Sequence, residues 1–388
     1  MAKRKKVVFI LGAGFSVPAL DLPQSQLLKK INKDKKHKSL INAIGKIWND
    51  PINVPLEDVY TLFDRSVEKQ ESVGSFSSAR ILKLRNDLND AIAEIHSIPV
   101  KKEKKKYVED FARKLCALRW EYYDRGLKKK KATHGKYRDD RVAVISTNWD
   151  VLLEEQLGKT MQENNYKLKR PILGTTRGMF MDFCMFEFQL DKNKPFTPAY
   201  IPTSLRIKPH GFANLKFLKL HGGINWFQCP RCDGVIVNLT KRDSYTPNYK
   251  DKDCLVCLKN YQDYSHKTSA LKRFFISPTF LKDFNATHFR SIWWNASYEI
   301  AEASHLVFIG YSLPLSDYDL RHLISKNINK DTHVTSILHS NDCSDIDYMR
   351  ACKNYQDFFG GKATIEKYGI EDFVNKGHMD KILDSARD

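Results

Sequence analysis

No apolar run in this chain approaches the twenty or so residues that a membrane-crossing helix needs, so no membrane span is expected. The basic start MAKRKK followed by VVFIL lacks the length of a secretory signal, and a glycine turn breaks it without a cleavage site. No internal repeat occurs, and low complexity is confined to lysine runs. Cysteine is scarce, eight in 388 residues, too few for a disulfide framework. These absences predict a cytoplasmic protein. Acidic residues are in deficit, 46 against 64 Lys and Arg, which leaves a formal charge of +18. Such an excess invites a nucleic-acid reading. Much of it, however, lies in Lys3–Lys6, Lys101–Lys106 and Lys128–Lys131, where no aromatic residue is interleaved. That is the pattern of solvated loops and helix ends, so contact with DNA is expected to be only indirect or non-specific. What is present in quantity is core: 42% hydrophobic and 12% aromatic residues, enough for a folded chain of more than one unit.

The stretch that organises the rest is VVFILGAGFS, from Val7 to Ser16. Five apolar residues rich in β-branched types predict a short buried strand. Gly12, Ala13 and Gly14 follow at once. Glycines there permit a tight turn and a close approach of backbone to ligand, with amide groups aimed at a pyrophosphate. A strict dinucleotide fingerprint would place a third glycine where Val17 stands. Asp21 falls in a loop able to fold over a ligand, ahead of a helix expected near Gln24 to Ile31.

Beyond this the composition turns helical. Ile81, Leu84, Leu88, Ile92 and Ile95 form one apolar stripe, and Val108, Phe111, Leu115, Leu118 and Tyr122 form another. Residues 35–135 are therefore read as a helical insertion. Strand and helix return with RVAVISTNWDVLLEEQL. Asn148 and Asp150 lie past the carboxyl end of the strand Val142–Ser146, where open α/β sheets bind ligands. Capping of the helix that begins near Val151 is an equal reading of both residues. Segment 165–212 has no clear period and is expected to form loops. The strand in NLKFLKL runs into His221-Gly222-Gly223. Cys229 and Cys232, then twenty-one residues, then Cys254 and Cys257 make two CxxC knuckles, the signature of a tetrahedral zinc site. Four thiolates fill all four positions, which predicts structural and not catalytic zinc. Further strands are expected over Leu306–Ile309, ahead of Gly310-Tyr311-Ser312, and over Val334–Leu338, ahead of His339-Ser340-Asn341. A short strand and a closing helix are expected after Asp357.

Taken together these residues resemble the sirtuin family, NAD-dependent deacylases and their NAD-hydrolysing relatives, over most of the chain outside the insertion. Gly12-Ala-Gly-Phe-Ser16 is similar to that family's GAGxS phosphate loop, and Thr147-Asn148-Trp149-Asp150 to its Gln-Asn-Ile-Asp element. His221-Gly222 looks like its catalytic pair, followed by the zinc module. Gly310-Tyr-Ser312 matches its GTS turn, and Ser340-Asn341 its ribose-contacting asparagine. Thr147 stands where Gln is usual, the loop after Ser16 lacks PDFR, and SPTFLKDF replaces the elements that clamp an acyl-lysine peptide. The resemblance thus points to the sirtuin-like effectors of bacterial antiphage systems, and most to the subunit paired with a HerA-type hexameric ATPase.

That resemblance implies a Rossmann-like, mainly parallel α/β sheet with a helical insertion and a four-cysteine zinc module. The catalytic domain would span 1–34 and 136–388, with the zinc module about 225–260 inserted. It implies cleavage of NAD to nicotinamide and ADP-ribose, with Asn148 and His221 catalytic. Gly12, Ala13, Gly14, Ser16, Asp21, Asp150, Gly310, Ser312 and Asn341 would hold the cofactor. A homo-oligomer and a HerA-type partner follow from the same likeness. The other readings are a deacylase or ADP-ribosyltransferase on the same cofactor, and a non-catalytic NAD-binding assembly subunit.

Overall fold

The structure, a computed structural model, describes residues 5–128, 141–166, 178–185, 212–237, 252–261, 263, 265, 269–279, 286–340 and 345–387. Its central feature is a parallel sheet built from β1 (Val7–Leu11), β2 (Val142–Ser146), β3 (Gly178–Asp182), β4 (Phe212–Lys219), then, past the second sheet, β8 (His305–Ile309), β9 (His333–Ile337) and β10 (Ala363–Glu366). Among the described residues the order is β10-β9-β8-β1-β2-β4-β3, with every pairing parallel. All five residues of β1 and of β2 are buried, as expected of strands covered on both faces. The Rossmann-like α/β architecture inferred from the sequence is thus observed.

The strand order reverses at β1. Val7 is in register with Val142 of β2 on one side and with His305 of β8 on the other. In sheets of this kind the crevice beyond the carboxyl ends at such a reversal is where ligands bind. Gly12 begins at that point.

The chain divides into two compact units: Met1–Ser16, Lys101–Leu220 and Thr287–Asp388 form one, Val17–Val100 and His221–Ala286 the other. The first contains the parallel sheet and the helix Lys106–Lys128. Val108, Phe111, Leu115 and Leu118 of that helix are fully buried, with the Phe111 ring edge-on to Phe9 and to Phe15 at 5.3 Å. The second unit joins the helices Leu27–Lys33, Lys38–Ile44, Leu56–Lys69 and Ser78–His96 to an antiparallel sheet of β5 (Gly222–Gln228), β6 (Val235–Val237) and β7 (Lys272–Phe275), ordered β6-β5-β7. Ile81, Leu84, Leu88, Ile92 and Ile95 are buried there. The helical stretch 35–135 is therefore shared between units. Its part before residue 101 groups with the cysteine-bearing strands, and the remainder with the parallel sheet.

Segment 165–212, expected as loops, supplies the edge strand β3, whose Gly178–Asp182 runs parallel to Phe212–Lys216. GMFMD carries no alternation, and the pairing comes from β4 alone. Lys6 also departs from expectation. It is not a solvated lysine but lies buried against Glu299 at 2.5 Å and Glu302 at 3.0 Å. After Asp357 the chain forms β10 and two helices, Gly369–Asn375 and His378–Arg387.

Candidate functional site at the carboxyl ends of the central strands

The loop after β1 turns through one short 3₁₀ segment, Ala13–Phe15. Its amides are largely committed within the protein. Gly12 N–H donates to Ile309 O at 3.0 Å, Gly14 to Gly310 O at 2.8 Å, Phe15 to Gly12 O at 2.9 Å and Ser16 to Ala13 O at 3.0 Å. The expected array of open amides is therefore not what the glycines provide. They let two loops touch. A Cβ on Gly12 would sit 2.7 Å from Gly310 O, one on Gly14 2.7 Å from Gly310 Cα, and one on Gly310 2.2 Å from the Gly14 carbonyl carbon. Gly310 also has φ +59°, which favours glycine by itself.

Asn148 closes over this loop from the end of β2. Its Nδ2 donates to Gly12 O at 2.9 Å and to Ser16 Oγ at 3.3 Å. Both amide hydrogens are thereby used, so what this half-buried side chain still offers a ligand is its carbonyl oxygen, an acceptor. Ser16 is buried, and having accepted from Asn148 it keeps a hydroxyl hydrogen to donate. The Asn148 loop is itself held down. Thr147 donates from N and Oγ1 to Leu11 O, at 3.0 and 3.2 Å, and Asn148 N–H donates to Ser146 Oγ at 3.1 Å. Asp150 takes the capping role that its position allowed: a carboxylate oxygen accepts Leu152 N–H at 3.1 Å, at the start of the helix Leu152–Tyr166.

Two residues with no part in the sequence reading meet beneath this loop. Lys219 Nζ donates to Asp150 O at 2.6 Å and, in a shorter contact, to the Glu154 carboxylate. Their side chains are 1% and 2% exposed. Burial pushes the Glu154 carboxyl up to about 7, against the pull of Lys219. A lysine at the end of the apolar strand NLKFLKL was the available signal.

The turn after β8 brings Gly310 against Gly14, as described, and leaves Ser312 exposed with its carbonyl accepting Asn354 Nδ2 at 3.0 Å. Asn341 lies outside the described residues, as do Lys129 to Lys131. Asp21 belongs to the second unit, exposed at φ 50°. His221 is that unit's first residue after β4, buried, with its carbonyl accepting Ile276 N–H at 2.9 Å.

Cys229, Cys232, Cys254 and Cys257 converge in the second unit, with all four sulfurs within 4.8 Å of one another. The Cys229–Cys257 and Cys232–Cys254 separations are both 3.7 Å. A tetrahedron with Zn–S bonds of about 2.3 Å has edges of about 3.8 Å, so the donor set fits zinc. Cys229 follows β5, while Cys254 and Cys257 bracket the first turn of the helix Leu255–Asn260. Hydrogen bonding with Cys232 and to the backbone amides of Val256 and Cys257 pulls the Cys254 thiol below its ordinary value.

No family model matches the chain, and no curated protein matches it. Solved structures similar to it are Sir2 proteins. One is a Sir2 homologue in complex with NAD, at 12% identity and TM-score 0.38, covering 100% of this chain and 91% of that one. A mutant Sir2 homologue with 2'-O-acetyl ADP-ribose gives 12% and 0.41, covering 100% and 93%. A Sir2 protein bound to a propionylated peptide gives 12% and 0.35, covering 98% and 95%. The superpositions are loose, and the chemistry of this chain rests on its own residues.

Proposed function

We propose that this chain is a sirtuin-like NAD+ hydrolase that releases nicotinamide and ADP-ribose, and that it acts in the cytoplasm as an NAD-depleting effector of bacterial antiphage defence. The observation that carries the reading is Asn148, fixed by Gly12 O and Ser16 Oγ at the strand-order reversal with only its carbonyl oxygen to offer. Cleavage of the nicotinamide–ribose bond develops oxocarbenium character, as in glycoside hydrolysis. The leaving group is already a pyridinium and needs no acid. The protein must hold the pyrophosphate, orient a water or ribose hydroxyl, and accept a proton. Ser16 O–H, the side-chain donor that the loop Gly12–Ser16 keeps, serves the first need, beside the Gly310–Ser312 turn. Asn148 Oδ1 serves the second, since an acceptor fixed in place orients an O–H donor. His221 serves the third, since an imidazole nitrogen can accept a proton. Zinc would be held by Cys229, Cys232, Cys254 and Cys257 and would brace the second unit without meeting substrate. In this reading the chain is a homo-oligomer docked on a HerA-type ATPase.

The test is NAD turnover by the purified protein, alone and with the ATPase, with product analysis. Nicotinamide and ADP-ribose formed without peptide, and reduced by on the order of 10²-fold or more in Asn148→Ala and His221→Ala, are the expected result. Turnover only with an acyl-peptide would assign a deacylase instead. No turnover under any of these conditions would sink the enzyme.

A further inference from the structure

We propose that Lys219 is a positioning residue: its bond to the Asp150 carbonyl anchors the loop that presents Asn148. The inference rests on the hydrolase reading for its consequence in catalysis, while the anchor itself can be measured apart from activity. Lys219 is in register with Ser146, the last residue of β2, so it stands where the Thr147–Asp150 loop leaves the sheet. A lysine in a sheet covered on both faces is costly unless its charge is met. Here it is met twice, by Asp150 O at 2.6 Å and by Glu154 in the first turn of the following helix. Stability alone is a weak reason for such a pair, because well-packed apolar side chains commonly replace a buried ion pair without loss. What apolar side chains cannot replace is the N–H donated to a loop carbonyl. That bond holds the far end of the loop, while Leu11 O and Ser146 Oγ hold the near end. With both ends held, the Asn148 amide stays over Gly12 O and Ser16 Oγ. Glu154 accepts a second bond from the same ammonium, a role that a Gln side chain oxygen can also fill.

The experiment compares the double variant Lys219→Met with Glu154→Leu, which removes both members of the ion pair, and Glu154→Gln, which leaves the lysine on the carbonyl. The double variant should exchange its amides at residues 147–151 at least about tenfold faster than the parent, with the strands unchanged. Its kcat for NAD should fall on the order of 10²-fold with KM within about twofold, as loss of orientation without loss of binding requires. Glu154→Gln should stay close to the parent in both. Should the double variant not fold, Lys219→Leu with Glu154→Met, which likewise carries no donor, takes its place. Unchanged exchange at 147–151 would overturn the anchor whatever the turnover. Equal falls in Glu154→Gln and the double variant would overturn it too, by assigning the effect to lost charge. A parent without turnover would sink the hydrolase reading, and the exchange measurement would still decide the anchor.

Discussion

Three glycines decide whether the two central loops can meet. The Cβ of an alanine at residue 310 would fall 2.2 Å from the Gly14 carbonyl carbon, on a backbone at φ +59°. Nothing flexible lies in its way to yield, so the loops must part. Gly310→Ala should cost about 3 kcal/mol or more, from overpacking and left-handed strain together, and should abolish NAD binding. Calorimetry with a binding titration checks both, and a parent-like melting temperature would contradict the contact. A second residue sets a pH dependence. Burial, with His333 alongside, pushes His305 down to about 4. Folded, this imidazole binds fewer protons than its unfolded counterpart near 6.5, so its contribution is intact above 6.5 and lost as pH falls from 6.5 toward 4. The loss is on the order of 3 kcal/mol, and His305→Gln should flatten it while keeping a bond to Thr335 Oγ1. Urea unfolding at pH 7 and pH 4.5 measures the difference. An equal acid loss in both proteins would put it elsewhere.

At the scale of elements, strands were the most legible. β1 and β2 are continuous apolar runs stopped by GAG and TNWD, and a run of that kind has one stable environment, the interior of a parallel sheet. The stripes 81–95 and 108–118 were equally plain, because 3.6-residue periodicity survives whatever the helix packs against. β3 was not legible. An edge strand of five residues takes its conformation from β4, and local sequence carries no trace of that partner. The cysteine knuckles were legible because metal ligation needs fixed residue types at fixed spacing. Their geometry yields a prediction for the element they tie together. One zinc should be found per chain, and Cys254→Ser or a strong chelator should lower the melting temperature of the second unit by more than about 10 °C. Elemental analysis with calorimetry tests it; a metal-free protein with an unchanged transition would remove zinc from the account.

For the whole molecule, the sequence shows which residues gather better than it shows why. Gly12, Gly14, Asn148 and Gly310 do gather where the strand order reverses. Their reasons differ from those first assigned, because hydrogen-bond partners are a property of the assembled loops. The glycines serve loop contact, and of the two readings open to Asp150 the cap is the one observed. Lys219 and Glu154 stayed hidden, since a single lysine at a strand end reads as surface until the sheet is seen to bury it. Composition misled in the same way at Lys6, one of a basic run, which meets Glu299 inside the protein.

The placement of β1 carries one more consequence, for biosynthesis. Of the described strands of the parallel sheet this one is synthesised earliest, yet it takes its neighbours from residues 142–146 and 305–309. Contacts so distant in sequence close late. A nascent chain halted short of residue 310 therefore has no Gly310 for Gly14 to meet, and the two loops stay apart. On the hydrolase reading proposed above, the chain would thus stay inactive through most of its own translation.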